Sequence, residues 1–327
     1  MKIEEFLAEW QNDSPTVLVH TSGSTGRPKP MLVEKQRMVA SARKTCEFLQ
    51  LQKGDTALLC MSLDYIAGKM MVVRALTCGL RLISVEPSGH PLASCSDRID
   101  FAAMVPMQVW NTLQVPEERE RLRQIRHLII GGGAIDESLE RELQEFPNAV
   151  WSTYGMTETL SHVALRRLNG PDRSEDYTPF DGVTVSLNEE NCLIINAPEV
   201  HDGPLVTNDI ASIQPGGFRI LGRKDNVICS GGIKIQAEEV ERLLRPHLSI
   251  PYIITRAKDE KFGEVVVLMV EAPSILEFRD ICRKVLPKYW QPKHIIAVNR
   301  IPMTATGKPA RAEAERLILR GRNQGPL

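Results

Sequence analysis

Two segments at opposite ends of the chain bring glycine, hydroxyl and lysine together: residues 21–29 (TSGSTGRPK) and residues 304–308 (TATGK). Such loops expose backbone N–H groups and hydroxyls that suit phosphate oxygens, and Lys29 and Lys308 can each bring a positive charge to the same ligand. ATP is the first ligand to consider. The Walker A spacing does not fit, because Gly26 is followed by Arg27, Pro28, Lys29 and then Pro30, so no helix opens on a lysine and a hydroxyl. The HRD and DFG signatures that accompany a kinase glycine loop are missing from the sequence.

The elements that must hold these loops follow an α/β pattern, with apolar runs alternating with amphipathic segments. Residues 17–19, 57–61, 81–85, 101–105, 127–130 and 149–153 read as strands. Residues 34–49 carry Met38, Ala42, Cys46 and Leu49 at helical spacing. Two further loops, GGGA at 131–134 and YGMTE at 154–158, would lie at strand carboxyl ends, where open α/β sheets bind ligands. From 183 to 220 shorter, turn-punctuated segments suit a small β-rich subdomain. Beyond Asp225, a helix at 237–244, strands at 252–255 and 264–270, a helix at 275–285 and a strand at 294–299 predict a compact α+β unit. The expected division is therefore a large domain over 1–224 and a small one over 225–327, with residues 320–327 as a frayed tail.

In their order along the chain these motifs resemble the adenylate-forming superfamily of acyl-CoA ligases, carrier-protein adenylation domains and luciferases. Residues 21–29 look like its phosphate loop, 131–134 like its adenine-side turn and 154–158 like its central signature. Asp209, in TND, and Arg223 and Asp225, in GRKDNVICSGG, match its ribose-binding acid, its ribose-contacting arginine and its inter-domain hinge. PMTATGKPAR at 302–311 matches its C-terminal motif. Residues 61–76, 102–113 and 230–244 look most like the o-succinylbenzoate:CoA ligases of menaquinone synthesis, particularly short bacterial forms. Typical members carry a large segment before the phosphate loop, so much of that subdomain is expected to be absent or rebuilt. Pro30 replaces a usual glycine, and Tyr65 stands where many members have a histidine or aromatic gate.

The resemblance implies an ATP-dependent acid:thiol ligase that makes an acyl-adenylate and then a CoA thioester; a different aryl- or fatty-acyl-CoA ligase, or a nucleotide binder without ligase activity, are the alternatives. Thr21, Ser22, Gly23, Ser24, Thr25, Gly26 and Lys29 would hold phosphates. Gly132, Gly133, Ala134, Tyr154 and Gly155 would line the adenine, while Asp209 and Arg223 would grip the ribose. Thr157 would bond the α-phosphate, Glu158 would ligate Mg²⁺ and Lys308 would serve adenylation. Asp225 would be the hinge, and Gly231 and Gly232 would serve the CoA step. An acid with a second carboxylate and an aromatic ring needs cations or donors beside apolar walls, for which Tyr65, Lys69, Arg74, Ser161 and His162 are candidates.

Composition bounds the remaining classes. The chain has 327 residues, 43% of them apolar, enough for a substantial core. A formal net charge of −1 with no dominant basic patch argues against nucleic acid as a partner. No apolar run reaches the eighteen or more residues of a spanning helix, and the acidic residues 1–12 do not resemble a signal peptide, so a soluble cytoplasmic protein is expected. Seven cysteines without CxxC spacing indicate neither a disulfide framework nor a zinc site.

Overall fold

The computed structural model describes residues 1–20, 30–133, 135, 137–303 and 309–322. They divide into two compact units. The first comprises Met1–Ser186, Ile194–Val206 and Ile213–Arg219; the second comprises Leu187–Leu193, Thr207–Ser212 and the chain from Ile220 onward.

The first unit opens with helix α1 (Ile3–Gln11), strands β1 (Thr16–His20) and β2 (Pro30–Glu34), and helix α2 (Lys35–Phe48). Then follow β3 (Thr56–Leu59), α3 (Ile66–Cys78), β4 (Arg81–Ser84), β5 (Phe101–Met104), α4 (Pro106–Leu113), α5 (Pro116–Gln124), β6 (His127–Ile130) and α6 (Glu137–Gln144). Strands β7 (Ala149–Gly155), β8 (His162–Arg167) and β9 (Thr178–Pro179) complete a seven-stranded sheet of order β4-β3-β5-β6-β7-β8-β9. It is parallel from β4 to β7 and antiparallel through β8 and β9. The central strands β3, β5 and most of β6 are buried on both faces, and so read as continuous apolar runs in the sequence. On one face Leu58, Ala102, Met104, Leu128, Ile130 and Val150 pack with Val109 and Leu113 of α4, Leu122 of α5, and Leu139 and Leu143 of α6.

Strands β10 (Thr184–Leu187), β11 (Cys192–Asn196), β12 (Leu205–Gln214) and β13 (Gly217–Arg223) form a four-stranded sheet in that order. The second unit continues with β14 (Val227–Ser230), β15 (Ile233–Gln236), α7 (Ala237–Leu244), β16 (Tyr252–Asp259), β17 (Gly263–Val270), α8 (Leu276–Val285), β18 (His294–Ala297) and α9 (Arg311–Arg322). Its five strands run β15-β14-β17-β16, with β18 parallel beside β17. The pleat sorts β16 and β17 by alternate residues. Ile254, Val266, Leu268 and Val270 pack with α7 and α8, whereas Ile253, Val265, Val267 and Met269 pack with Ala314 and Ile318 of α9.

The fold is thus the expected α/β arrangement of a large sheet domain and a smaller C-terminal α+β region. One expectation needs correcting: residues 320–322 are not tail but the last turn of α9, whose Ala314 and Ile318 are buried. Residues 323–327 lie outside the described residues.

Candidate active site

Both lysine loops, with Thr21, Ser22, Gly23, Ser24, Thr25, Gly26 and Lys29 in one and Lys308 in the other, lie outside the described residues, as does Ala134. Their stems are defined. β1 and β2 pair antiparallel from Thr16↔Glu34 to His20↔Pro30, so a five-residue ladder brings His20 and Pro30 side by side. Pro30, which has no N–H, opens the second strand, the position in a strand that tolerates proline. At the other end of the chain Met303 bridges Pro309, and the Ala310 N–H donates to the Pro302 carbonyl at 2.9 Å.

The carboxyl ends of β6 and β7 lie side by side, in register at Ile130↔Ser152. Gly131, Gly132 and Gly133 follow the first strand, and the signature follows the second. At Gly155 the β7–β8 register shifts, and a Cβ would stand 2.3 Å from the Ser161 carbonyl oxygen, so a side chain there would push the signature off β8. Tyr154 packs edge-on against Phe218 (5.1 Å, 76°) and 5.7 Å from Tyr177, which gives its ring a fixed aromatic backing. Thr157 is buried at the start of a 3₁₀ turn, Thr157–Thr159, whereas Glu158 in the same turn is exposed.

The turn ends in strain. Leu160 has φ 65° and ψ −38°, and the Ser161 N–H donates to the Thr159 carbonyl at 2.7 Å, which is a γ-turn at a non-glycine residue. That turn delivers Ser161 and His162 to Arg74 of α3, whose Nη2 donates to Ser161 Oγ at 2.6 Å. Arg74 is 2% exposed, its Nη1 meets only the Met71 sulfur (3.7 Å), and its Nε has no partner among the described residues. No carboxylate pairs with it among the described residues, and burial lowers its pKa to about 10. Burying a guanidinium without a carboxylate carries a desolvation cost that a bound anion would offset. His162 is also buried; burial and then the Arg74 charge hold it well below the ordinary histidine range.

Lys69, five residues earlier on α3, has different work. Its Nζ donates to the Leu18 carbonyl at 2.8 Å, lies 3.4 Å from Glu9 and sits over the Phe6 ring, so it ties α1 and β1 to α3. Tyr65, before the first turn of α3, is 45% exposed.

In the second unit Arg223 donates to Asp209 at 3.0 Å and to Asp225 at 2.8 Å, and Asn208 donates to Asp225 at 3.4 Å. The three residues matched to ribose binding and to the hinge therefore form one ion-paired cluster. Gly231 (φ 57°) and Gly232 (φ 84°) are the two central residues of the β14–β15 hairpin, closed by Ser230↔Ile233; both positive φ values fit a type I′ turn.

Tyr177, Phe218 and Thr45 are site-supporting residues that motif reading does not reach. They come from segments without a signature, and only the folded contacts bring them to Tyr154 and His162.

Strand-end loops of this kind lie where open α/β sheets bind ligands. The chain matches the family of AMP-binding enzymes over residues 4–203 and belongs to it. It is 33% identical to the acyl-CoA synthetase (AMP-forming)/AMP-acid ligase II-like protein from Dyadobacter fermentans, covering 96% of this chain and 93% of that one, with a TM-score of 0.66. It is 28% identical over 284 residues to the 2-succinylbenzoate–CoA ligase of Salmonella typhimurium, covering 82% of this chain. The chain spans 61% of the length of that relative. The o-succinylbenzoate CoA synthetase MenE from Bacillus subtilis, solved in complex with ATP and magnesium ion, has the same fold (TM-score 0.74, 23% identity, 93% of this chain and 70% of that one).

Proposed function

We propose that the chain is an AMP-forming acid:CoA ligase and that its acid is o-succinylbenzoate. The observation that carries the choice of acid is Arg74, a buried guanidinium with no carboxylate partner among the described residues, bonded to Ser161 just after the YGMTE signature. An acid with two carboxylates would activate one and leave the other to this cation. Family membership and the relatives named above support the same reading.

In this reading the activated carboxylate oxygen attacks the α-phosphorus of ATP and pyrophosphate leaves; the CoA sulfur then attacks the acyl carbon and AMP leaves. Residues 21–29, with Lys29, hold the β and γ phosphates. Tyr154, Gly132, Gly133 and Ala134 receive the adenine, Asp209 and Arg223 the ribose, and Thr157 the α-phosphate. Lys308 neutralises charge where carboxylate and α-phosphate meet. Glu158 fits Mg²⁺: it is a single exposed carboxylate, no cluster of three metal-binding side chains exists among the described residues, and Mg²⁺ draws most of its ligands from phosphates and water. The bound ion would offset phosphate charge. Asp225 is the hinge between the domains 1–224 and 225–327, and the Gly231–Gly232 turn serves the CoA step. No helix among the described residues is long and apolar enough to cross a membrane. The proposed enzyme is cytoplasmic and acts on small molecules, without nucleic acid.

Pyrophosphate release from ATP and Mg²⁺, with o-succinylbenzoate and with or without CoA, tests the proposal, alongside Lys308→Ala. Release that needs the acid, thioester that needs CoA and collapse of both in the variant are expected. Turnover with an aryl or fatty acid instead would replace the substrate. ATP binding without pyrophosphate from any acid would leave a nucleotide binder.

A further inference from the structure

Arg74 is the near end of a chain of hydrogen bonds that runs through Ser161 and His162 to Thr45. Ser161 Oγ accepts from Arg74 at 2.6 Å and lies 3.2 Å from His162 Nδ1; His162 Nε2 lies 3.1 Å from Thr45 Oγ1, which donates to the Ser41 carbonyl at 3.3 Å. A guanidinium only donates and a carbonyl only accepts. A threonine within a helix gives its hydrogen to the carbonyl one turn back, and with the Thr45 hydrogen on Ser41 the Nε2–H donates to Thr45 and Nδ1 accepts the Ser161 hydroxyl hydrogen. The ring is held edge-on by Phe180 (5.4 Å, 75°).

The relay answers a physical problem. A substrate-binding cation must be held still without being neutralised, and a carboxylate beside Arg74 would cancel the charge it offers. A hydroxyl does not. A free serine hydroxyl rotates, however, and its lone pairs would then be poorly aimed at the guanidinium. Accepting the Ser161 hydrogen at Nδ1 fixes the rotor. The γ-turn at Leu160 directly precedes Ser161 and His162, at a backbone conformation that a leucine adopts only under constraint.

We propose that His162 and Thr45 are positioning residues for the acid substrate: through Ser161 they aim Arg74 at the charge remote from the reacting carboxylate. The inference rests on the reading of Arg74 as the group that binds the acid.

The test compares KM for the acid with KM for ATP in Arg74→Met, His162→Leu, His162→Asn and Thr45→Val. Asparagine keeps an acceptor near the Nδ1 position; leucine keeps bulk alone. His162→Leu is expected to raise the acid KM about tenfold, the scale of one well-placed hydrogen bond, while the ATP KM stays within about twofold. His162→Asn is expected to recover most of that loss, and Thr45→Val to fall between the two. A large effect of Arg74→Met with none from His162→Leu would overturn the relay and leave the reading of Arg74 intact. An acid KM untouched by Arg74→Met, or a wild type that turns over no acid, would overturn both. Equal losses in His162→Leu and His162→Asn would mean that ring volume, not the acceptor, matters, and the relay would be wrong. If His162→Leu does not fold, Thr45→Val, nearly isosteric, carries the comparison.

Discussion

At the level of single residues, Arg74 and Lys69 are two cations on one apolar helix that the sequence alone cannot tell apart: both interrupt the run 66–76, and either suits a second carboxylate. Contacts separate them. Lys69 holds α1 and β1 through Leu18 and Glu9, while Arg74 meets only a hydroxyl and a thioether. Lys69→Met should therefore lower stability by about 1–3 kcal/mol, because it leaves the Leu18 carbonyl without its donor and removes the Glu9 ion pair, and leave the acid KM unchanged. Urea unfolding and steady-state kinetics on the same variant check both halves; an acid defect without a stability loss would reverse the assignment. Arg74→Met should do the opposite. Removing a buried charge that has no carboxylate partner relieves desolvation, so the melting temperature should hold or rise, while kcat/KM for the acid drops about a hundredfold or more. A variant that loses stability and keeps its acid would show Arg74 to be structural.

Among the elements, the central parallel strands were legible because burial on both faces leaves plain apolar runs, and 57–61, 101–105 and 127–130 lie within two residues of β3, β5 and β6. Elements with narrow buried stripes were not. α9 buries only Ala314 and Ile318 of the residues described, hidden within the charged run RAEAERLILRGR, and β2 buries only Val33. β8 begins directly after the strained Leu160 turn, so the signature motif masked its start. The β14–β15 hairpin was legible as glycines but not as geometry. With both central φ values positive, Gly232→Ala should cost about 1–2 kcal/mol from backbone strain alone, and Gly231→Ala more, because its Cβ would also crowd Phe262 at 3.1 Å. If this turn serves the CoA step, either variant should release pyrophosphate at the wild-type rate and form thioester slowly. Parallel assays of the two products read this directly, and equal slowing of both would remove the turn from the second half-reaction.

For the whole molecule, the order of motifs identified the family, but the charge states that set its response to acid could be read only from burial. Two buried or half-buried histidines, His127 on β6 and His162 on β8, belong to the central sheet of the first unit. Burial, followed by the charges of Arg126 and Arg167, takes His127 down to about 4, and burial with Arg74 takes His162 well below its ordinary value. Between pH ~6.5 and ~4 the unfolded chain therefore binds protons at these sites that the folded sheet refuses. Because the unfolded state holds more protons there, stability rises with pH: the contribution of these histidines is complete above ~6.5 and is lost as pH falls toward 4. In the second unit His247 is exposed and His294 half-buried, so its sheet lacks fully buried histidines among the described residues. Hydrogen exchange at pH 7 and pH 4.5, corrected for intrinsic rates, should show the amides of β6, β7 and β8 losing protection while those of β16 and β17 keep most of theirs. Equal loss in both sheets would mean that acid acts through carboxylates spread over the chain, and an unchanged first sheet would mean that these histidines are not held neutral at the cost their burial implies.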